Sequence, residues 1–330
     1  MKHFTLFSLV VLICFSSSCK KDQPQSPAPA PTPTTYPEWV TYSTTNSALP
    51  NDQVNAITVS KDNVKWVATA GGLASLTGDQ WNIYNKVNTA LPSDMIQAVA
   101  VENDGSVWVG TDNGLARLHN KQWSVYTMSN SILPNNNIKC ITHDAAHNTT
   151  WIATDDGIVK VSDGKWDNIE EYNVKLSLTT DRDGALWAGV FNDFAFIAMI
   201  KKYANGRWTT YRLDQMGYTS AIPYDIEIGR DNNPVAVLGG TVVKAAIKFN
   251  GTSWDELTRP EQARGLRTMV VNDDAVWVGG ATFSRFGDKK APLISLPGTD
   301  SPILSMALDN NGRKWLGTYY GGVVVYNPKM

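Results

Sequence analysis

A unit of about 42 residues recurs along this chain, and a repeat of that length constrains the fold more than any other sequence feature. The tryptophans define its period. The first tryptophan of each unit occupies positions 66, 108, 151, 187, 277 and 315, and the second occupies positions 39, 81, 123, 166, 208 and 254. All 12 tryptophans therefore fall into two repeat columns, with Val235 in the gap of the first column and Ile294 near the empty slot of the second.

Each unit has the pattern of four short β-strands. In the first unit the strand-like runs are Val54–Val59, Val64–Thr69, Leu73–Leu76 and Gln80–Asn85, separated by polar or glycine-containing turns. The first two runs are apolar at consecutive positions, which is typical of strands buried on both faces. Four-stranded sheets stacked face to face around an axis satisfy this pattern, so the sequence predicts an all-β fold, a β-propeller.

The length of the repeat region predicts the number of blades and the way the ring closes. The 294 residues of region 37–330 equal seven periods of 42. The last unit has only three strand-like runs, whereas the spare run Glu38–Tyr42 precedes the first unit and carries Trp39 of the second column. We therefore predict a seven-bladed propeller with four strands per blade, in which the N-terminal strand completes the last blade.

Three stretches resemble the repeats of the two-component regulator propeller family. They are LPNDQVNAITVSKDNVKWVATAGGL (49–73), LPSDMIQAVAVENDGSVWVGTDNGL (91–115) and LPNNNIKCITHDAAHNTTWIATDDGI (133–158). The resemblance implies a propeller of the kind that forms the extracytoplasmic sensor of bacterial hybrid kinases. No kinase or receiver region follows the repeats, so we expect a free-standing relative and do not transfer the signalling role.

The N-terminal 36 residues are predicted to target and tether the protein. Residues 1–18 have the short charged start and the apolar stretch of a signal peptide, and Cys19 follows small residues in a pattern that resembles a bacterial lipobox. Residues 19–36 are rich in proline and predict an extended spacer of roughly 50 Å. We expect a lipoprotein of the bacterial outer membrane, anchored through Cys19, on the cell surface or the periplasmic side. Ordinary secretion is the alternative.

The sequence offers little catalytic chemistry. The net charge is −2, which provides no basic surface to attract nucleic acid. His143 and His147 flank a turn beside Asp144, but a zinc site needs more ligands than this. Cys140 lies in a strand-like run and is expected to be a structural thiol. We therefore predict no catalytic residue, no metal and no cofactor.

Irregular loops in blades 4 to 7 are the predicted binding site. Because strands alternate in direction, loops that follow second strands and loops that join blades open on one face. These loops contain aromatic and arginine side chains, which suit sugar rings, peptides and carboxylates. The expected contact residues are Tyr319, Tyr320, Phe194, Tyr218, Arg264 and Arg285.

The function predicted from these features is binding without chemistry. The expected ligand is a glycan fragment or a protein partner, held on the face of the irregular loops. One alternative is a polysaccharide lyase or hydrolase, which would need an acid/base cluster at the channel mouth. Another is a structural subunit of an outer-membrane complex, which would need a large apolar patch. Fold alone does not decide among them.

Overall fold

The computed structural model describes residues 38–169, 174–192, 195–240, 245–272 and 275–327. The predicted signal peptide, the Cys19 anchor and the tether lie outside the described residues. Within the described ranges, no helix is long and apolar enough to cross a membrane. The first strand, β1, is Trp39–Tyr42.

The remaining strands follow in blade order. Blade 1 contains β2 to β5, which are Val54–Val59, Lys65–Thr69, Gly72–Thr77 and Gln80–Tyr84. Blade 2 contains β6 to β9, which are Ile96–Val101, Val107–Thr111, Gly114–His119 and Gln122–Tyr126. Blade 3 contains β10 to β13, which are Ile138–Asp144, Thr149–Thr154, Ile158–Ser162 and Lys165–Ile169. Blade 4 contains β14 to β17, which are Val174–Thr180, Leu186–Asn192, Ile197–Ala204 and Arg207–Arg212.

The last three blades complete the ring. Blade 5 contains β18 to β21, which are Ile222–Ile228, Pro234–Gly239, Ala245–Phe249 and Trp254–Glu256. Blade 6 contains β22 to β24, which are Thr268–Asn272, Ala275–Gly279 and Ser284–Phe286. Blade 7 contains β25 to β27, which are Ile303–Leu308, Lys314–Thr318 and Val323–Tyr326, together with β1. The seven-bladed propeller predicted from the repeat is confirmed.

The ring closes as the sequence predicts. Strand β1 pairs antiparallel with β27, and the register places Trp39 opposite Tyr326 and Tyr42 opposite Val323. The last blade therefore contains strands from both ends of the propeller. This pairing covers an edge of β27 that would otherwise expose unpaired backbone groups.

The two tryptophan columns meet at the seams between blades. Each first-column tryptophan packs in one hydrophobic cluster with the second-column tryptophan of the next blade, for example Trp108 with Trp166 and Trp187 with Trp254. Six of the seven clusters contain such a pair. The seventh cluster joins blades 5 and 6 around Val235, where both columns lack tryptophan. The repeat thus places one large aromatic pair at six of the seven seams, where burial of aromatic surface stabilises the ring.

Blade 6 departs from the four-stranded pattern. Its described residues form a three-stranded sheet, and the fourth strand is reduced to one antiparallel bridge between Phe283 and Ile294. Pro292 and Pro297 lie on either side of Ile294. Proline has no backbone N–H to donate to a sheet, so these residues limit the fourth strand to a single bridge.

Candidate functional site at the channel mouth

A β-bulge recurs in the innermost strand of the blades and aims side chains into the central channel. The register shifts by one residue near the start of the first strand in six of the seven blades. Bulges re-aim a side chain and often lie next to functional sites. The described side chains at the bulge position are Asn55, Gln97, Lys139, Tyr224 and Leu304, and all of them line one cavity.

This cavity of ≈230 Å³ lies within the ring of innermost strands. The bulges lie where the chain enters each first strand, so the cavity lies toward the face carrying the loops that follow second and fourth strands. We call this the mouth face; it includes loops 43–53 and 319–321. Lys139 Nζ lies 3.3 Å from Asp155 Oδ1, so the charge of this lysine is already compensated.

Arg267 also lines this cavity, and the described residues give its guanidinium no ion pair. Its side chain is exposed, and its guanidinium lies 5.4 Å from the centre of the Tyr224 ring. A guanidinium beside an aromatic ring can bind a carboxylate bidentately while retaining its cation–π contact.

Asp225 of blade 5 follows the bulge residue Tyr224 and accepts hydrogen bonds from both neighbouring blades. Ser177 Oγ of blade 4 donates a hydrogen bond to Asp225 Oδ1 at 2.9 Å. Thr268 Oγ1 and the backbone N–H of Met269, both in blade 6, donate to Asp225 Oδ2 at 3.1 and 2.9 Å. Burial raises the pKa of Asp225, and these donated hydrogen bonds oppose the rise because they favour the carboxylate.

Glu227 lies two residues further into the same strand and lines the channel with Asp225. Burial, followed by the negative charge of Asp225, raises the pKa of Glu227 to about 8. Both carboxyl groups therefore have raised pKa values and line the same cavity. The channel lining therefore includes two carboxyl groups, which the lyase or hydrolase alternative requires.

Replacing Glu227 with glutamine is expected to change the dependence of stability on pH. The folded protein binds this proton more tightly than the unfolded chain, so stability falls as pH rises from 4.5 to about 8. Urea unfolding of Glu227→Gln across this range should show a smaller decline than the parent protein. Glu261→Gln, at an exposed glutamate, is the matched control. Equal declines in the Glu227→Gln variant and the parent would contradict the raised pKa.

The large exposed apolar side chains of the described residues share the mouth face. They lie in loops that follow second or fourth strands and are Val87, Met128, Ile132, Phe196 and Tyr320. Tyr320 is 73% exposed. These five side chains come from the loops of four blades, so the mouth face has more exposed apolar surface than the opposite face among the described residues.

Two predicted contact residues lie side by side on this face, and a third is partly packed. Tyr319 and Tyr320 contact each other edge to face, with ring centres 4.2 Å apart. The backbone N–H of Tyr320 donates to Ser301 Oγ at 2.7 Å. Tyr218 instead packs against the cluster around Trp187, and its pKa is raised by burial and then by the charge of Glu256. Tyr218 therefore contributes to the seam between blades 4 and 5.

The predicted arginines occupy different places. Arg264 is exposed, and its backbone N–H donates to Thr282 Oγ1 at 2.9 Å. Thr282 and Ser301 line a second cavity of ≈170 Å³, so Arg264 and Tyr320 flank the same cavity. Arg285 was expected in the loop after the second strand, but it lies within the third strand, β24. Phe194 lies outside the described residues.

The channel residues were absent from the sequence-based prediction, although the repeat contained a signal for them. Asp225 aligns with Ala56 and Ala98 of the regular blades, and Glu227 aligns with Thr58 and Ala100. Two carboxylates thus replace small residues on a strand that the other blades keep nearly uncharged. Within the described residues, no group of three or more His, Cys, Asp or Glu side chains could hold a metal ion.

Comparison with known families agrees with the repeat. The sequence model described as "two component regulator propeller" matches residues 90–113. This match confirms the resemblance predicted from the second of the three regular repeats. No curated protein sequence matches the chain.

Several solved structures are similar to this chain. A catalytically inactive virginiamycin B lyase from Staphylococcus aureus, with quinupristin, is 16% identical at a TM-score of 0.71; the match covers 88% of this chain and 99% of that one. The extracellular domain of a hybrid two component system from B. thetaiotaomicron is 17% identical at a TM-score of 0.66, covering 88% and 41%. YCF48 from Cyanidioschyzon merolae is 16% identical at a TM-score of 0.63, covering 88% and 99%. At these identities the likeness establishes the propeller fold.

Proposed function

We propose that this protein is an extracytoplasmic binding propeller that holds a carboxylate-bearing glycan fragment at the channel mouth. The observation that carries the proposal is Arg267, an exposed guanidinium beside Tyr224 with no carboxylate partner among the described residues. A bidentate pair with a carboxylate would satisfy its donors. The ring of Tyr224 and the amides of Asn55 and Gln97 offer apolar and hydrogen-bonding contacts to a sugar.

The size of the cavity limits how much of the ligand enters it. Drug-sized ligands occupy pockets of about 300–1,000 Å³, and the mouth cavity measures ≈230 Å³. One carboxylated sugar ring fits this space, and the rest of the ligand would extend over the mouth face. There Tyr319 and Tyr320 provide an aromatic surface.

The proposed location follows from the N-terminal sequence. A signal peptide over residues 1–18, a lipidated Cys19 and a proline-rich tether would hold the propeller outside the cytoplasm and off an outer-membrane surface. The fold shared with the extracellular domain of a hybrid two component system supports this placement. Mass spectrometry of the membrane fraction would detect the acylated Cys19, and an unmodified secreted chain would contradict the anchor.

Replacing Arg267 with glutamine is expected to weaken binding of an acidic oligosaccharide. A hydrogen bond to a charged group contributes about 1.5–3 kcal/mol, so the dissociation constant should rise roughly 10- to 100-fold. Titration calorimetry with oligogalacturonate, and with the neutral galactose oligomer of the same length, measures this change. Arg264→Gln is the matched control because it removes the same charge three residues away and outside the mouth cavity.

The controls separate the possible results. Binding of the acidic oligomer that is lost in Arg267→Gln and retained in Arg264→Gln supports the proposal. Equal affinity for the acidic and neutral oligomers would contradict it. Binding lost only in Arg264→Gln or in Tyr319→Ala/Tyr320→Ala would move the site to the cavity between blades 6 and 7. Failure of every glycan would favour a protein partner on the mouth face.

A polysaccharide lyase or hydrolase is the second candidate function. The specific observation in its favour is the pair of Asp225 and Glu227, because two carboxyl groups with raised pKa values on one cavity wall are groups that general acid–base catalysis uses. Incubation of the bound oligomer with the protein, followed by analysis of chain length, tests this candidate. An intact oligomer leaves binding as the function, and cleavage that Glu227→Gln abolishes makes the protein an enzyme.

A further inference from the structure

The seam between blades 2 and 3 contains a second cleft, on the face opposite the channel mouth. This cavity of ≈380 Å³ is lined by turns that follow first and third strands, and by the seam aromatics. Its volume is within the range of small-molecule sites, about 300–1,000 Å³. The lining side chains that matter here are Glu102, Asp104, Arg117, Tyr126, Asp163 and Trp166.

Aromatic rings form one wall of the cleft. The ring centres of Tyr126 and Trp166 are 4.8 Å apart, and each lies 5.8 Å from the ring centre of buried Trp108. Ring faces carry negative electrostatic potential and attract cations within about 6 Å of the centroid. Tyr126 and Trp166 are only half-buried, and no lysine or arginine is positioned over either ring in the described part of the chain.

The cleft already contains one cation of the protein's own. The guanidinium of Arg117 lies 5.3 Å from the Trp108 ring centre and pairs with the carboxylate of Glu102. The same arrangement recurs in blade 4, where Lys202 lies 4.9 Å from the Trp187 ring centre and 3.1 Å from Asp181. A positive group between an acid and a tryptophan is therefore a stable arrangement at these seams.

The cleft between blades 2 and 3 retains excess negative charge. Arg117 is paired with Glu102 and lies 3.9 Å from Asp104, so one guanidinium faces two carboxylates. His119 Nδ1 lies 3.5 Å from Asp104 but is charged only when protonated. Asp163 is exposed and accepts a hydrogen bond from Asn148 Nδ2 at 3.5 Å; the described residues give it no ion pair.

We propose that this cleft binds an alkylammonium group. The ammonium would lie near the Asp104 and Asp163 carboxylates, and its alkyl carbons would contact the rings of Tyr126 and Trp166. Attraction to the rings and attraction to the carboxylates act together on such a group. A free amine, an amino sugar and a lysine side chain of a partner share this chemistry. The cleft is on the opposite face from the mouth, so this inference does not depend on the proposed function.

The experiment is a saturation-transfer NMR titration of the whole protein with n-butylammonium. Neutral n-butanol is the matched probe, because it has the same alkyl chain and no charge. We expect binding of the ammonium and not of the alcohol, and at least a tenfold loss of affinity in Asp104→Asn/Asp163→Asn. Glucosamine and Nα-acetyl-lysine methylamide then distinguish a sugar from a protein side chain.

Three further variants serve as controls for this experiment. Asp167→Asn, on strand β13 but outside the cavity lining, should bind n-butylammonium as the parent does. If the double variant melts at a lower temperature than the parent, the affinity of Asp163→Asn is compared with that of the parent instead. The Asp163 carboxylate is exposed, so this single substitution should not affect folding. Equal binding of alcohol and ammonium, unchanged affinity in the double variant or no ammonium binding would each overturn the proposal. Arg267→Gln should leave this binding unchanged.

Discussion

Replacing Asp309 with alanine is expected to lower the free energy of unfolding by about 3–5 kcal/mol, the usual effect of removing one partner from a buried ion pair. The Asp309 side chain has 0% exposure and lies at the seam where blade 7 meets blade 1. It accepts hydrogen bonds from Arg313 Nε at 2.6 Å and Trp315 Nε1 at 3.1 Å. Lys65 of blade 1 lies 3.9 Å away, with a side chain only 6% exposed. Alanine would leave both cations and the indole N–H without this acceptor.

Urea unfolding at neutral pH measures this change, and acid titration provides a second readout. Burial acts to raise the pKa of Asp309, but the hydrogen bonds donated by Trp315 and Arg313 lower it below its usual value. The stability it contributes is therefore complete above its unfolded pKa of 3.8 and is lost as pH falls through the lower folded pKa. The difference between parent and variant should shrink at acid pH.

Asp62→Ala is the matched control for Asp309→Ala. Asp62 lies in the equivalent type of turn in blade 1 and is exposed. Substitutions at such surface positions usually change stability by less than about 0.5 kcal/mol. A loss of similar size in both variants, or a loss below about 1 kcal/mol in Asp309→Ala, would show that this seam does not depend on the buried carboxylate.

Removing strand β1 is expected to have a still larger effect. The ring of Trp39 lies 4.6 Å from that of Tyr326, and the ring of Tyr42 lies 5.9 Å from Trp315 and 5.4 Å from Trp81. Deleting one large aromatic side chain from a core costs about 3–5 kcal/mol. Loss of both aromatics and of the sheet pairing would approach the whole stability of a typical domain, about 5–15 kcal/mol. A chain that starts at Thr45 should therefore fail to unfold cooperatively.

Circular dichroism and urea unfolding of the two truncated chains test this expectation. A chain that starts at Pro37 keeps β1 and should unfold at the same midpoint as a chain that starts at Lys20. Adding a synthetic peptide of residues 37–46 to the shorter chain should restore part of the cooperative transition, because the peptide can pair with β27. Cooperative unfolding of the shorter chain at an unchanged midpoint would mean that ring closure does not stabilise this propeller.

The fold could be predicted from the sequence because each copy of the repeat forms one blade of a periodic structure. The tryptophan columns, the seven periods and the spare strand before the first unit predict the blade number and the pairing of β1 with β27. The seven sheets confirm the first prediction, and the register confirms the second. Blade 6 shows the limit of that reasoning. The repeat predicts four strands in this blade as in the others, whereas the structure shows three strands and a single bridge at Ile294.

The candidate site depends on where individual side chains point, and the period of the repeat does not specify this. Arg264 and Arg267 are three residues apart in one loop and look equivalent in the sequence, yet only Arg267 lines the channel mouth beside Tyr224. Burial inside the ring raises the pKa values of Asp225 and Glu227, and the charge of Asp225 adds to the rise at Glu227. The sequence determined the ring, since packing of strands repeats locally along the chain. Tertiary structure alone decided which charges meet, because bulges aim side chains and closure brings together residues distant in sequence.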